Sequence, residues 1–175
     1  MDDDVEQPLS LRAVTTLIAS DTFIRGVDIM KTELYEKTRE FVADSFEKAG
    51  KSSQMIHFDR AVHWVKTLRP EADEALCIAA VAHDIERAFR QPDMHERKAA
   101  SYTNPDFFRT HEERGAGIIA EFLEKQGAEK SIVERVSKLV ARHEEGGDED
   151  QNLLRDADSL SFLENNVQRF LERLG

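Results

Sequence analysis

The chain has 175 residues, of which 40% are hydrophobic and 34% are charged, and its formal net charge at pH 7 is -11. This length suits one domain, and the composition fits a soluble globular helical protein. The negative charge argues against a general nucleic-acid binder, because such a protein needs a lysine and arginine surface to neutralise phosphates. We therefore expect a single domain without a nucleic-acid partner.

The pattern of apolar residues predicts an all-α protein, a single compact bundle of about six main helices. Residues 1–26 have no clean period, and we expect an N-terminal arm or a short helix there, followed by a helical domain over residues 27–175. A loop over residues 91–108 could be a lid or a surface excursion. The amphipathic first helix would allow a homodimer. The predicted helices cover residues 27–49, 53–68, 70–90, 110–127, 128–144 and 149–174.

The cysteine count and the hydropathy indicate the cellular compartment in which the protein is expected. Cys77 has no possible disulfide partner and lies in an apolar segment, which is typical of a protein in a reducing cytoplasm. No stretch approaches the ~18 uninterrupted apolar residues of a membrane span, and the first residues are acidic where a signal peptide would be basic. We expect a cytoplasmic protein that does not enter a membrane.

The apolar segment from Leu76 to Phe89 contains a histidine and an aspartate side by side, His83 and Asp84. Burying an imidazole beside a carboxylate costs free energy unless each finds a partner. A bound metal ion would satisfy both side chains. The alternative is a pair at the rim of the core that is hydrogen-bonded to a neighbour.

Other histidines and a late aspartate favour the metal. His57, His111 and His143 each share a helix face with apolar residues. On the last predicted helix Asp156 lies in the apolar stripe, whereas Asp158 points to the other side. Imidazole and carboxylate ligands without a thiolate suit Mn, Fe, Zn, Ni or Co. The residues alone therefore predict a divalent transition-metal site at one mouth of the bundle.

The order of these residues and four short motifs resemble the HD superfamily of metal-dependent phosphohydrolases. The motifs are HFDRAV at the first histidine, AAVAHDI at the central pair, HEERGA at the following histidine and DADSL at the late aspartates. The resemblance runs from His57 to Glu164 and implies a helical bundle of the HD-domain type. The sequence departs from the family at HDIER, because many members have a glycine after the isoleucine.

The resemblance also implies metal ligands for one ion or two. In members with two ions, an aspartate placed like Asp84 bridges them. The final aspartate stays open, because helical phase favours Asp156 whereas the usual family motif favours Asp158. The implied ligands are His57, His83, Asp84 and that aspartate for the first ion, with His111 and His143 for the second.

The function that the resemblance implies is hydrolysis of a phosphate ester in a nucleotide or another small phosphorylated metabolite, with the choice between monoester and diester left open. Asp84, as a general base, and Arg87 are the candidate catalytic residues. Basic residues near the pair are candidates to bind substrate phosphates; these are Arg87, Arg90, Arg97 and Lys98.

Three alternatives to a phosphohydrolase remain open. A sensor module could bind metal and nucleotide without turnover, and the departure at HDIER favours that possibility. A di-iron oxygenase could use the same scaffold and would contain iron. A helical interaction protein with purely structural histidines would bind no metal at all.

Overall fold

The computed structural model describes residues 32–90 and 105–174, and these residues form a compact all-α fold without strands, as predicted. The expected N-terminal arm over residues 1–26 lies outside the described residues. Most of the expected loop, residues 91–104, lies outside them too. The helices are α1 Glu33–Lys48, α2 Met55–Leu68, α3 Glu74–Ala82, α4 Glu86–Phe89, α5 Pro105–Lys125, α6 Lys130–Val140, α7 Glu149–Asn165 and α8 Val167–Leu174, with a 3-10 turn at Ser52–Gln54.

Helix α3 lies in the centre of the bundle, where α1, α2, α6 and α7 pack around it. Asp73 caps its N-terminus by accepting a hydrogen bond from the backbone N–H of Leu76 at 3.1 Å. All of its residues from Ala75 to Ala82 are buried. A helix that is apolar on every side is stable only when it is enclosed. Helix α3 therefore carries His83, its C-terminal cap residue, into the interior of the protein.

Helix α7 is fixed against α2 and α6 by charged residues at both of its ends. Near its C-terminus, Glu164 accepts hydrogen bonds from Arg60 Nε at 2.8 Å and from Trp64 Nε1 at 3.1 Å. At its N-terminus, Asp150 pairs with both Arg69 and Arg135. These contacts fix α7 in an orientation in which Asp158 and Ser161 face His57 of α2.

Several predicted helix boundaries are wrong. The helix predicted over residues 70–90 begins at Glu74, and the helix predicted over residues 128–144 ends at Val140, so that His143 lies in the turn that follows it. The helix predicted over residues 70–90 is interrupted by a turn at His83, Asp84 and Ile85, and the helix predicted over residues 149–174 is divided at Asn166. Helix α5 begins at Pro105 instead of Thr110. Proline suits the first helical position, because its missing N–H would have no partner there. His111 consequently lies within the helix rather than at its start.

Within the part of the chain that the structure describes, no helix has the combination of length and apolar character that a transmembrane span requires.

Candidate metal centre

Predicted ligand residues from five parts of the chain meet in one buried cluster. The cluster, called the His-Asp centre below, is built by α2, α5, α7 and the turns that follow α3 and α6. Five of its six residues are buried, and the side chain of Asp158 is 19% exposed. The members are His57, His83, Asp84, His111, His143 and Asp158.

The first triad of the centre comprises His57, His83 and Asp158. The Nε2 atoms of the two histidines are 3.2 Å apart. Asp158 Oδ1 lies 3.0 Å from the Nε2 atom of His57 and 3.3 Å from that of His83. Two ring nitrogens and an ionised oxygen at these distances need a proton or a cation between them, because their lone pairs would otherwise face one another.

The second triad comprises Asp84, His111 and His143. Asp84 Oδ1 lies 2.9 Å from His111 Nε2 and 3.8 Å from His143 Nε2. The other oxygen of the same carboxylate, Oδ2, lies 3.9 Å from His83 Nε2 in the first triad. Asp84 therefore stands between the two triads and directs one oxygen toward each.

Backbone carbonyl groups hold two of the four imidazole rings from behind. His83 Nδ1 donates to the carbonyl oxygen of Ala80, and His143 Nδ1 donates to that of Val140, each at 2.8 Å. A carbonyl oxygen can only accept a hydrogen bond, so Nδ1 bears the hydrogen in both rings. The Nε2 atom of each ring is then left as the metal-binding nitrogen.

Side chains hold the other two rings. Ser161 Oγ donates to the backbone carbonyl of His57 at 2.7 Å, and the same oxygen therefore accepts from His57 Nδ1 at 2.8 Å. Glu86 Oε2 lies 2.8 Å from His111 Nδ1. In all four rings Nδ1 is bound by an acceptor and Nε2 points into the centre. This is the usual arrangement of histidines that bind metals, in which an outer acceptor fixes the tautomer and the ring orientation.

The centre satisfies the chemical requirements of a metal site. His143 Nε2 is buried and has no hydrogen-bond partner among the described residues, although buried polar atoms are normally satisfied. The ligand atoms of each triad lie within 4.8 Å of one another. Imidazole and carboxylate ligands suit Mn, Fe, Co, Ni or Zn. The residues present could therefore hold one such ion or two.

The charges of the centre keep its carboxylates ionised. Burial raises the pKa of Asp158, but His83 and His57 outweigh burial and hold it far below its ordinary value. Burial also raises the pKa of Asp84, and Arg87 with the neighbouring histidines holds it well below its ordinary value. Burial lowers the pKa of His83, whereas the two aspartates raise it to about 9. Both carboxylates are thus available as anionic ligands.

The structure corrects the preference for Asp156 over Asp158. Asp156 is exposed and accepts a hydrogen bond from Arg155 Nη2 at 2.8 Å, whereas Asp158 contacts two histidines of the centre. The prediction assumed that the leucines of α7 mark its buried face, but Leu163 is 59% exposed. The residues of α7 that are buried are Gln151, Leu154, Ala157 and Ser161.

The predicted phosphate-binding residues lie in different places. Arg87 adjoins the centre, with its Nε atom 2.8 Å from Asp84 Oδ1. Arg90 lies behind His111, where it pairs with Glu86 Oε2 at 2.6 Å, and it lines a separate cavity of about 430 Å³. The structure thus separates Arg90 from the cavity beside the centre. Arg97 and Lys98 lie outside the described residues.

A cavity of about 450 Å³ opens beside the His-Asp centre. Three residues of the centre line it, namely His57, Asp84 and Asp158. Charged side chains adjoin them and apolar side chains form much of the remaining wall. These other lining residues are Arg87, Glu144, Ser159, Phe162, Leu163, Asn166 and Phe170.

Sequence reasoning did not assign three buried polar residues that support the centre, which are Glu86, Glu112 and Ser161. Glu112 accepts a hydrogen bond from the backbone N–H of Glu144 at 2.8 Å and so fixes the turn that contains His143. The departure from the family pattern at HDIER was a signal for Glu86. Ser161 gave none, because a serine on an amphipathic helix is ordinary.

The fold and the His-Asp centre define a compact all-α protein with a buried cluster of histidines and aspartates. Residues 36–174 match the family described as a domain of unknown function, DUF4202, and the chain belongs to that family. The matched range includes every residue of the centre. Comparison with curated proteins and with solved structures gave no match.

Proposed function

We propose that the protein is a metal-dependent phosphohydrolase that acts on a nucleotide or another small phosphorylated metabolite. The observation that carries the proposal is the convergence of four histidines, each anchored through Nδ1, with two ionised aspartates beside a cavity. A cluster of this kind is costly to bury in a protein that does not use it. The sequence resemblance to the HD superfamily supports the same conclusion.

The two triads would hold the metal. His57, His83 and Asp158 would bind one ion, His111 and His143 would bind a second, and Asp84 would contribute an oxygen to each. A divalent metal bound there supplies Lewis-acid stabilisation of the charge that develops on a phosphoryl group.

Arg87 is the residue that we assign to the substrate phosphate. Its side chain is 41% exposed and lines the cavity, with Nε 2.8 Å from Asp84 Oδ1 in an ion pair and Nη2 3.8 Å from Glu144 Oε1. A guanidinium has five N–H donors, which is enough to stay paired with Asp84 while it donates to phosphate oxygens. Arg87 would thereby orient the phosphate next to the centre.

Glu144 is the group that we assign to proton transfer. Asp84 Oδ1 already lies 2.9 Å from His111 Nε2 and 2.8 Å from Arg87 Nε, which weakens the case for Asp84 as a general base. Glu144 lines the same cavity, and its Oε1 atom lies 3.9 Å from His143 Nε2. Its carboxylate would accept a proton from the attacking water and return it to the leaving oxygen.

The wall of the cavity favours a nucleotide over a purely polar phosphate ester. Phe162 and Phe170 lie together there, with ring centroids 5.7 Å apart and an interplanar angle of 72°. A nucleobase stacks on aromatic side chains regardless of its identity. Asn166, on the same wall, can donate and accept hydrogen bonds to the edge of a base or to a ribose.

The test is a screen for phosphate release by the purified protein supplied with Mn, Co, Ni or Zn. The substrates are nucleoside mono-, di- and triphosphates, cyclic nucleotides and small phosphomonoesters. We expect turnover of at least one nucleotide and a loss of about 100-fold or more in His83→Ala, since the change removes a ligand. His63→Ala is the matched control, because His63 lies on α2 but outside the centre.

Two results would contradict the enzymatic proposal. One is that the metal-loaded protein hydrolyses none of these substrates. This result would favour a sensor module, and a nucleotide-binding titration would then test that alternative. The other is full activity in His83→Ala, which would place the chemistry elsewhere.

A further inference from the structure

Glu86 is a buried carboxylate directly behind His111. It is the first residue of the short helix α4 and is 4% exposed. Its Oε2 atom lies 2.8 Å from His111 Nδ1 and 2.6 Å from Arg90 Nη2. The residue does not line the cavity beside the centre, so contact with a substrate in that cavity does not explain it; it lines the separate cavity together with Arg90.

Arg90 holds the Glu86 carboxylate in place. Its Nε and Nη2 atoms both donate to Glu86 Oε2, at 3.1 and 2.6 Å, so that a fixed cation adjoins the carboxylate. Arg90 Nη2 also lies 3.2 Å from His111 Nδ1. The carboxylate at the shorter distance can only accept, and therefore Nδ1 of His111 bears a hydrogen that is donated to Glu86.

The support of His111 differs from that of the other three histidines. His57, His83 and His143 donate to neutral acceptors, which are a serine hydroxyl and two backbone carbonyls. Among the four Nδ1 atoms, only that of His111 donates to an anion. A carboxylate behind an imidazole orients the ring and raises the basicity of its opposite nitrogen. In His111 that opposite nitrogen is Nε2, which faces Asp84.

We propose that Glu86 is a positioning residue that makes the triad of Asp84, His111 and His143 a second metal site, by directing His111 Nε2 into that triad and strengthening it as a ligand. The inference rests on the metal centre of the proposed function, but it requires neither hydrolysis nor a particular substrate. Arg90, which the sequence placed among the phosphate-binding residues, acts here as the partner that fixes Glu86.

The experiment measures metal binding by the whole chain, starting from metal-free protein. Co²⁺ is titrated while its visible absorption is followed, and Zn²⁺ affinity is measured by competition with a chromophoric chelator. The variants are Glu86→Gln, which keeps an acceptor but loses the charge, and Glu86→Ala, which loses both. Glu164→Gln is the matched control, because Glu164 also accepts from an arginine and a ring N–H but lies outside the centre.

We expect the wild-type protein and Glu164→Gln to bind two ions per chain with equal affinities. Glu86→Ala should bind the second ion about 10- to 100-fold more weakly and change its Co²⁺ spectrum, because loss of an outer partner of a ligand typically has this effect. The second-ion affinity of Glu86→Gln should lie between those of the wild-type protein and Glu86→Ala. The affinity for the first ion should stay the same in every variant.

Several results would overturn the role of Glu86. These are an unchanged second-ion affinity in the Glu86 variants, an equal loss for both ions, or a wild-type chain that binds fewer than two ions. Circular dichroism in chelator checks folding, and if Glu86→Ala does not fold, the isosteric Glu86→Gln decides. A wild-type protein that binds two ions without hydrolysing any nucleotide contradicts the proposed function but leaves this inference standing.

Discussion

At the scale of single residues, Asp84 connects the two halves of the His-Asp centre. It can do so beside His83 because the chain tightens between α3 and α4, where Ile85 N donates to Ala82 O at 3.0 Å and Arg87 N donates to Asp84 O at 2.9 Å. Bonds of this 3-10 type wind the backbone more tightly than an α-helix. Two adjacent side chains can then both reach a site that lies at the end of the helix.

We predict different metal losses for the two aspartates of the centre. Asp84→Asn should lower the affinity for both ions, because its oxygens face both triads, whereas Asp158→Asn should affect mainly the first. Metal per chain, measured by elemental analysis after gel filtration, distinguishes these results. Asp156→Asn is the control and should keep the full metal content, since Asp156 is exposed and bound to Arg155. Metal loss in Asp156→Asn alone would contradict the assignment.

A second residue-scale prediction concerns Ser161. Ser161→Ala removes the hydrogen bonds to Nδ1 and to the backbone carbonyl of His57 in a buried position. We expect the metal-free protein to lose about 1–3 kcal/mol of unfolding free energy, because the buried Nδ1–H donor of His57 is left unsatisfied. Urea denaturation in the presence of chelator measures this loss. Ser159→Ala, at an exposed position on the same helix, should cost much less.

At the scale of helices, apolar periodicity predicted the buried residues of α3 well and those of α7 badly. The reason is the same for both helices. In α3 the buried residues are apolar, so a count of apolar residues identifies the interior. In α7 polar residues are buried because specific partners receive them: Gln151 completes a capping box with Asp148, and Ser161 binds His57. A hydropathy pattern contains no information about such partners. It therefore located the helix but gave it the wrong phase.

The same limit applies to the candidate site. The four histidines and Asp84 were predictable from the sequence, because each lies in an apolar segment or shares a helix face with apolar residues. Glu112 did not stand out, since the sequence is rich in charged residues and most carboxylates lie on a surface. The motif HDIER drew attention to Glu86 but gave no role for it. The burial of both residues depends on the packing of α4 and α5 against the turns that hold His83 and His143, and only the three-dimensional structure shows it.

The attachment of α7 gives a prediction about pH. Asp150 pairs with Arg69 and Arg135, and these hydrogen bonds lower its pKa although burial opposes them. A carboxyl whose pKa is lower in the folded state stabilises the fold above its unfolded pKa of about 3.9 and loses this contribution as the pH falls. Asp150→Asn should therefore cost about 0.5–1 kcal/mol near pH 7, since solvent partly screens the pairs.

The difference between wild type and Asp150→Asn should shrink as the pH falls below about 4, and urea denaturation at several pH values measures it. Glu149→Gln is the control, because Glu149 also pairs with Arg69 but its side chain is 91% exposed. A difference that stays constant down to acid pH would show that the charge of Asp150 is not the cause.

At the scale of the whole molecule, the His-Asp centre joins segments that are far apart in the sequence. Its residues come from α2, from the turn after α3, from α5, from the turn after α6 and from α7, so that the first and last are 101 residues apart along the chain, from His57 to Asp158. An ion bound to the folded chain by these residues has no comparable site in the unfolded chain. Metal binding should consequently stabilise the entire bundle rather than one loop.

We predict that metal raises the thermal unfolding midpoint of the protein. At a free metal concentration of 100 times Kd, one site adds about 2.7 kcal/mol. For a domain of this size that free energy corresponds to a rise of roughly 5–10 °C. Calorimetry with and without chelator measures the shift of the midpoint. His83→Ala should lose most of this shift. His63→Ala leaves the centre intact and should show the wild-type shift. Equal midpoints for the wild-type protein with and without metal would mean that the four histidines hold the helices together through hydrogen bonds alone.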